Sequence, residues 1–199
     1  MTDQIILASG SEIRATLLRN AGIQFDVIKA RIDEDMMKAG LLAEGLKGRD
    51  IADALAEMKA LRVSSKHPTH IVVGCDQVLE HEGVLFSKPD SQNDAIKQLQ
   101  CLRGSTHRLL SAVVIYQNGA PQWRHVSCVS MTMNDFSDNY LNDYVNRNWE
   151  SIRYSVGAYK LEEEGIRLFQ KINGDYFAVL GIPLLELISY LSIRGVLPS

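Results

Sequence analysis

Short apolar segments typical of strands alternate along this chain with segments whose apolar residues recur at helical spacing. Strands are predicted at residues 4–8, 25–28, 71–75, 108–116 and 122–133. Helices are predicted at residues 12–21, 51–64, 94–102, 137–146 and 184–193. Asp50 is the expected N-cap of the second helix, and Asn118-Gly119 is a hairpin signal between the last two strands. The pattern predicts an α/β or α+β fold in one domain over residues 1–199, with two lobes around a cleft.

The composition excludes several classes of protein. A formal net charge of −3 argues against a nucleic-acid partner, because binding to a phosphate backbone needs a clustered basic excess. Three cysteines without paired spacing are typical of a reducing compartment. No apolar segment approaches the roughly 20 residues that span a bilayer, and the first residues do not resemble a signal peptide. We therefore expect a cytoplasmic protein with no membrane partner.

The first candidate site is the turn that joins the first strand to the first helix. Ser9, Gly10 and Ser11 follow the strand, and Ser11 is the expected N-cap. Exposed amide groups at a helix start, together with hydroxyl groups, favour an anion. Arg14 lies in the first helical turn, where the macrodipole disfavours a cation unless a bound anion is present. The alternative is an ordinary N-cap beside a solvated arginine.

Asp76 is the second candidate, because it follows the buried strand at residues 71–75. Open α/β sheets place ligands at the carboxyl ends of their strands, and a carboxylate there can hold a hard cation or activate water. Gly74 would allow a close approach of backbone. The alternative is an aspartate that only forms a turn.

Two lysines and one glutamate complete the candidates. Lys59 falls beside Leu55 on the apolar stripe of its helix and needs an anionic partner, unless its stem lies along the surface with the ammonium in water. Lys88 precedes a proline on a turn, and Glu34 belongs to an acidic cluster of a kind that is more often a solvated helix start. The chain carries no GxxxxGK[ST] or GxGxxG motif and no zincin motif, so these nucleotide and zinc sites are not supported.

Taken together, these residues resemble the Maf family, nucleotide pyrophosphatases once named for an effect on septum formation. The chain has LASGSEIRATLL where the family has LASxSPRRxxLL, GCDQ where it has GADT or GSDQ, and then KP. A DE pair, an EMKA helix segment, LRGSTH, GDY and GIPL follow the family pattern in the same order. The resemblance covers nearly the whole chain. It implies a Maf-type α/β fold, related to that of inosine triphosphate pyrophosphatases, with a mixed elongated sheet and flanking helices.

The resemblance also implies an activity and a role for each candidate residue. The activity is hydrolysis of nucleoside triphosphates to monophosphate and pyrophosphate, with Mg²⁺ or Mn²⁺ as cofactor and a possible homodimer. Asp76 would be the general base and would hold the metal with Glu34. Lys88 and Gln77 would assist at the reacting end. The triphosphate would be bound by four side chains: Ser9, Arg14, Lys59 and Lys88.

Several positions depart from the family pattern. Glu12 and Ile13 replace a proline and an arginine, and Ser155 replaces a lysine. GCDQ, together with Glu162 and Glu163 in place of a glutamine segment, resembles the branch that acts on 7-methyl-GTP, where an acidic side chain could pair with the cationic base. The rival hypothesis is a nucleotide-binding regulator of cell division with little or no turnover.

Overall fold

The computed structural model describes residues 4–197, in which one mixed sheet is flanked by helices on both faces. The strands are β1 (Ile5–Leu7), β2 (Phe25–Val27), β3 (Ile71–His81), β4 (Val84–Phe86), β5 (Thr106–Gln117), β6 (Ala120–Met133) and β7 (Phe169–Asn173). The helices are α1 (Glu12–Asn20), α2 (Glu34–Ala43), α3 (Gly48–Ser64), α4 (Gln92–Leu102), α5 (Asp138–Ile152), α6 (Tyr176–Val179) and α7 (Leu184–Ile193). Two short 3-10 turns lie at Val156–Ala158 and Glu164–Leu168.

The sheet order is β2-β1-β3-β5-β6-β7, and β4 pairs with β3. The first three strands of this order, β2, β1 and β3, are parallel. Each can start from the same end of the sheet, because α1 connects β1 to β2 and α3 lies in the connection from β2 to β3. From β3 onward the pairing is antiparallel, and the Asn118-Gly119 turn joins β5 to β6 as predicted. The α/β fold with a mixed sheet and flanking helices is confirmed.

Alternate residues of β3 enter two separate cores. Val72 and Val78 pack with α3 on one face, whereas Val73 and Leu79 belong to the larger core on the other face. That larger core also contains the apolar sides of α1, α4, α5 and α7. The strand therefore has a continuous apolar sequence, as expected when both faces of a sheet are covered.

Gly74 sets the distance between β3 and α3. A Cβ atom at Gly74 would lie 2.2 Å from the carbonyl oxygen of Ala56 and 2.7 Å from the amide nitrogen of Ala60. The predicted close approach of backbone at this glycine is confirmed, and it presses β3 against the helix that carries Lys59.

Some boundaries differ from the prediction for identifiable reasons. Asp50 is not the N-cap of α3, because the helix begins three residues earlier than predicted, at Gly48, with Lys47 at the N-cap. Asp76 does not follow a strand but lies inside β3, which continues to His81 through unbroken pairing with β5. The sequence analysis did not predict α2, β4, α6 or β7.

One edge of β3 is open in the middle. β1 pairs with β3 only as far as Val73, and β4 pairs with it only from Leu79. Among residues 4–197, no strand pairs with the edge between these points. The carbonyl groups of this segment therefore need other partners, and Asp76 lies in the middle of it. None of the helices in residues 4–197 is long and apolar enough to cross a membrane.

Candidate active site

A cavity of about 1270 Å³ lies beside the open edge of β3. All the side chains predicted for the site line this one cavity: Ser9, Arg14, Glu34, Lys59, Asp76, Gln77 and Lys88. They come from the β1–α1 turn, α1, the start of α2, α3, β3 and the segment after β4. The fold thus brings together residues that lie far apart in the sequence.

Asp76 and Lys59 form a buried ion pair at the centre of the cavity. The Lys59 Nζ donates to Asp76 Oδ1 at 2.6 Å, and the side chains are 8% and 7% exposed. The same Nζ lies 3.0 Å from Glu34 Oε1, so one ammonium joins carboxylates from β3 and α2. Lys59 is therefore buried with partners, rather than extended along the surface. Glu34 is at the start of a helix, but it faces this cluster.

The pKa values of the two carboxyl groups are shifted in opposite directions. Burial raises the pKa of Asp76 above its ordinary value, and the Lys59 and Arg14 charges offset only part of this effect. Burial would also raise the pKa of Glu34, but the Lys59 and Lys88 charges outweigh it, and the pKa is lowered. The cluster therefore contains one carboxyl group with increased basicity beside one that stays ionised, a pair of environments suited to proton transfer.

Arg14 closes the open edge of β3. Its Nη1 donates to the Cys75 carbonyl at 3.1 Å and to Ser9 Oγ at 3.1 Å. Its Nε donates to the Gly181 carbonyl at 2.7 Å. The guanidinium is buried and serves as a structural link between β3, the β1–α1 turn and the loop after α6. Nη2 is the guanidinium nitrogen left to donate to a ligand in the cavity.

The β1–α1 turn differs in detail from the prediction. Ser11 is the N-cap of α1, as expected, but its side chain makes no capping hydrogen bond within the part of the chain described. Instead, Ser9 Oγ accepts from the Ser11 amide at 3.3 Å. Ser9 thus organises the turn and contacts Arg14 at the same time.

Gln77 points to the opposite face of the sheet from Asp76, as neighbouring strand residues do. Its Nε2 donates to Ser111 Oγ at 2.9 Å and to the carbonyls of Ala178 and Val179 at 3.0 Å each. These bonds attach the end of α6 to β3 and leave Oε1 to accept from a ligand. A role for Gln77 at the reacting end therefore stays a prediction.

Lys88 and Lys38 add cations at the mouth of the cavity. Lys88 is exposed, with its Nζ 3.9 Å from Glu34 Oε2. Lys38, which the sequence analysis missed, donates to the Phe86 carbonyl at 2.7 Å and to Ser87 Oγ at 3.2 Å. The signal in the sequence that could have predicted α2, and with it Lys38, is the helical spacing of Met37 and Leu41. Both side chains are partly buried against the α3 core, and both lie in the helix that begins at Glu34.

The departures from the family pattern lie at the rim. Glu12 is among the residues that line the cavity, but its carboxylate is exposed and pairs with Arg19 at 2.8 Å. Ser155 and Glu162 both line the cavity. Glu163 accepts from Ser151 Oγ at 2.7 Å and from Lys160 at 3.2 Å, so it is already engaged.

The donor set fits a hard divalent cation. Asp76 and Glu34 both contact one ammonium within 3.0 Å, so their oxygens lie close enough to share a single cation. Among residues 4–197, no three His, Cys, Asp or Glu side chains form a metal-binding group. Two carboxylates with further ligands from phosphate and water match the way proteins bind Mg²⁺.

Comparison with known proteins finds relatives over almost the full length of the chain. The profile of the Maf-like protein family matches residues 4–193. The nucleoside triphosphate pyrophosphatase of Roseobacter denitrificans is 62% identical over 198 residues, which cover 100% of both chains. The protein of the same name from Ruegeria pomeroyi is 58% identical over 199 residues, again 100% of both. The 7-methyl-GTP pyrophosphatase of Brucella abortus is 46% identical over 191 residues, 96% of each chain.

Proposed function

Because this chain belongs to the Maf-like protein family, we propose that it hydrolyses nucleoside triphosphates to nucleoside monophosphate and pyrophosphate. The observation that carries the proposal is the buried Asp76–Lys59 pair, at the centre of a cavity that is also lined by further cations, among them Arg14 and Lys88. A pocket with several cations suits a polyanionic ligand, and a basic carboxyl group at its centre suits activation of water for hydrolysis.

In this reaction water attacks the α-phosphorus, the bond between that phosphorus and the bridging oxygen breaks, and pyrophosphate leaves. Asp76 takes the proton of the attacking water on Oδ2, since Oδ1 accepts from Lys59. The raised pKa of Asp76 makes this carboxylate a stronger base than an exposed aspartate. Lys59, Lys88 and Arg14 Nη2 would donate to phosphate oxygens and stabilise the charge that develops on pyrophosphate.

Asp76 and Glu34 are the side chains that would hold a divalent cation, Mg²⁺ or Mn²⁺. When bound, such an ion polarises phosphate oxygens and neutralises part of their charge. Lys59 would donate to the triphosphate from its place beside these two carboxylates.

The base preference is proposed to depend on the rim of the cavity. Tyr154 is 67% exposed and Glu162 is exposed, and both line the cavity. An aromatic ring and a carboxylate together suit a cationic purine such as 7-methylguanine. Of the two neighbouring glutamates, Glu162 is the candidate, because Glu163 is bound to Ser151 and Lys160.

The test is a screen for pyrophosphate release with Mg²⁺ or Mn²⁺. It covers the standard nucleoside triphosphates, 7-methyl-GTP, pseudo-UTP and 5-methyl-UTP, with Asp76→Asn as the matched variant. We expect release by the wild type and a loss of at least about 100-fold in kcat for Asp76→Asn, with nucleotide affinity retained. The proposed role of the rim would be refuted if the best substrate were not 7-methyl-GTP and if Glu162→Gln left the order of substrates unchanged.

The same screen tests the rival function. A folded wild-type protein that binds nucleotides and releases no pyrophosphate from any of them would refute hydrolysis and leave a nucleotide-binding regulator of septum formation. The homodimer stays a prediction of the resemblance, and the cytoplasmic location stays a prediction from the composition. Size-exclusion chromatography with light scattering tests the first, and cell fractionation tests the second.

A further inference from the structure

Helix α2 carries a residue of the central cluster, yet it is weakly packed. None of its residues is buried, and Met36 and Leu42 are 64% and 44% exposed. Its apolar contact with the protein is made by the partly buried Met37 and Leu41. A helix held by so little apolar surface is expected to open locally at low free-energy cost. Glu34 is the first residue of this helix, so its position beside Lys59 depends on how firmly the helix is attached.

Lys38 supplies an additional attachment. It follows Glu34 by one turn on the same face of α2, and its Nζ donates to the Phe86 carbonyl and to Ser87 Oγ at the end of β4. Phe86 and Ser87 directly precede Lys88, whose Nζ faces Glu34. One side chain therefore connects the helix that carries Glu34 to the segment that carries Lys88.

Lys38 is a poor candidate for a direct phosphate ligand, although it lines the cavity. Two of its three donor positions are directed to Phe86 and Ser87. The ammonium is also half-buried, which lowers its pKa despite the opposing charges of Asp35 and Asp76. Both of these hydrogen bonds go to the segment at the end of β4.

We propose that Lys38 is a positioning residue that fixes α2 over the cavity and acts on the reaction through Glu34, without contacting the substrate. This inference rests on the proposed function for its kinetic consequence. The attachment of α2 itself can be measured without turnover.

The experiment compares Lys38→Met, which keeps the length of the side chain, with Lys38→Arg, which keeps its charge and donors. Lys97→Met is the matched control, because Lys97 is an exposed lysine on α4 away from the cavity. We expect Lys38→Met to speed hydrogen exchange across residues 34–43 about tenfold, the scale of one charge-assisted hydrogen bond. We expect Lys38→Arg to restore slow exchange and Lys97→Met to leave it unchanged.

The kinetic measurements separate positioning from direct binding. Lys38→Met should lower kcat about tenfold with KM within about twofold of the wild type, and it should lower kcat no further in a Glu34→Gln background. A large rise in KM with unchanged kcat would show a phosphate ligand and overturn the proposal. So would an effect that persists undiminished with Glu34→Gln, or an unchanged exchange rate across α2.

Failure of the proposed function gives a different result. A wild-type chain that releases no pyrophosphate from any nucleotide refutes the hydrolase and the kinetic part of this inference. Exchange across α2 in Lys38→Met and Lys38→Arg still decides whether Lys38 fixes the helix.

Discussion

Replacing Lys59 with methionine would remove the ammonium that, within residues 4–197, contacts both Asp76 and Glu34. Methionine keeps the apolar stem of the side chain, so the substitution tests the charge with little loss of packing. Asp76 is buried and would lose its partner at 2.6 Å, whereas Glu34 is 41% exposed and could turn toward water. The cost therefore comes mainly from Asp76.

Removal of one partner from a buried ion pair typically costs about 3–5 kcal/mol. Arg14 is also near Asp76 and its charge offsets part of the burial effect, so we expect a value near the lower end, about 3 kcal/mol. Asp76→Asn in the Lys59→Met background should recover most of this loss, because the charge without a partner is then gone. The double variant should lie within about 1–2 kcal/mol of the wild type.

The assay is urea unfolding at neutral pH with EDTA, followed by the fluorescence of Trp123 and Trp149. Lys97→Met is again the control and should change the free energy of unfolding by less than about 0.5 kcal/mol. A double variant as unstable as Lys59→Met alone would refute the reasoning, because the cost would then not arise from the charge of Asp76.

Two further predictions concern packing and pH. Gly74→Ala should lower the free energy of unfolding by about 1–3 kcal/mol, because its Cβ would meet the α3 backbone at 2.2 Å. Gly40→Ala, whose Cβ would have nothing within 4 Å, should raise the free energy of unfolding by about 0.5–1 kcal/mol. Urea unfolding of both variants checks these opposite signs. Burial lowers the pKa of His107 from 6.5 to about 4. As the pH falls, the imidazole therefore gains its proton in the unfolded chain before it does so in the folded chain. The wild type should lose roughly 3 kcal/mol of stability between pH 7 and pH 4 for this reason. His107→Phe should lack that part of the loss, and an unchanged slope of stability against pH would contradict the prediction.

The parts of the site that the sequence predicts are those with a local physical signal. Lys59 stands out because a charge on an apolar helical stripe needs a partner, and Asp76 stands out because a carboxylate ends an apolar run. The resemblance supplied their roles, and the fold brings both to one cavity.

The parts that the sequence does not predict depend on contacts between distant segments. Arg14 binds the carbonyls of Cys75 and Gly181, 61 and 167 residues away, and backbone carbonyls leave no mark in a sequence. The sequence analysis missed the full extent of β3 because its continuation through Gln77 and Glu80 is polar. Pairing with β5 keeps this polar segment in the strand. Lys38 was missed with α2, whose short amphipathic pattern contains a glycine.

The difference in length between β1 and β3 affects how this fold can vary. β1 has three residues and β3 has eleven, so the cavity exists because one strand stops and not because the interior is loosely packed. The inner wall of this open edge includes core residues such as Leu55 and Val78, whereas Tyr154 and Glu162 at the rim are exposed and can be exchanged without removing atoms from either core. New ligand preferences could arise at the rim at little cost in folding, while extending β1 by a few residues would fill the open edge beside Asp76 and obstruct the proposed site.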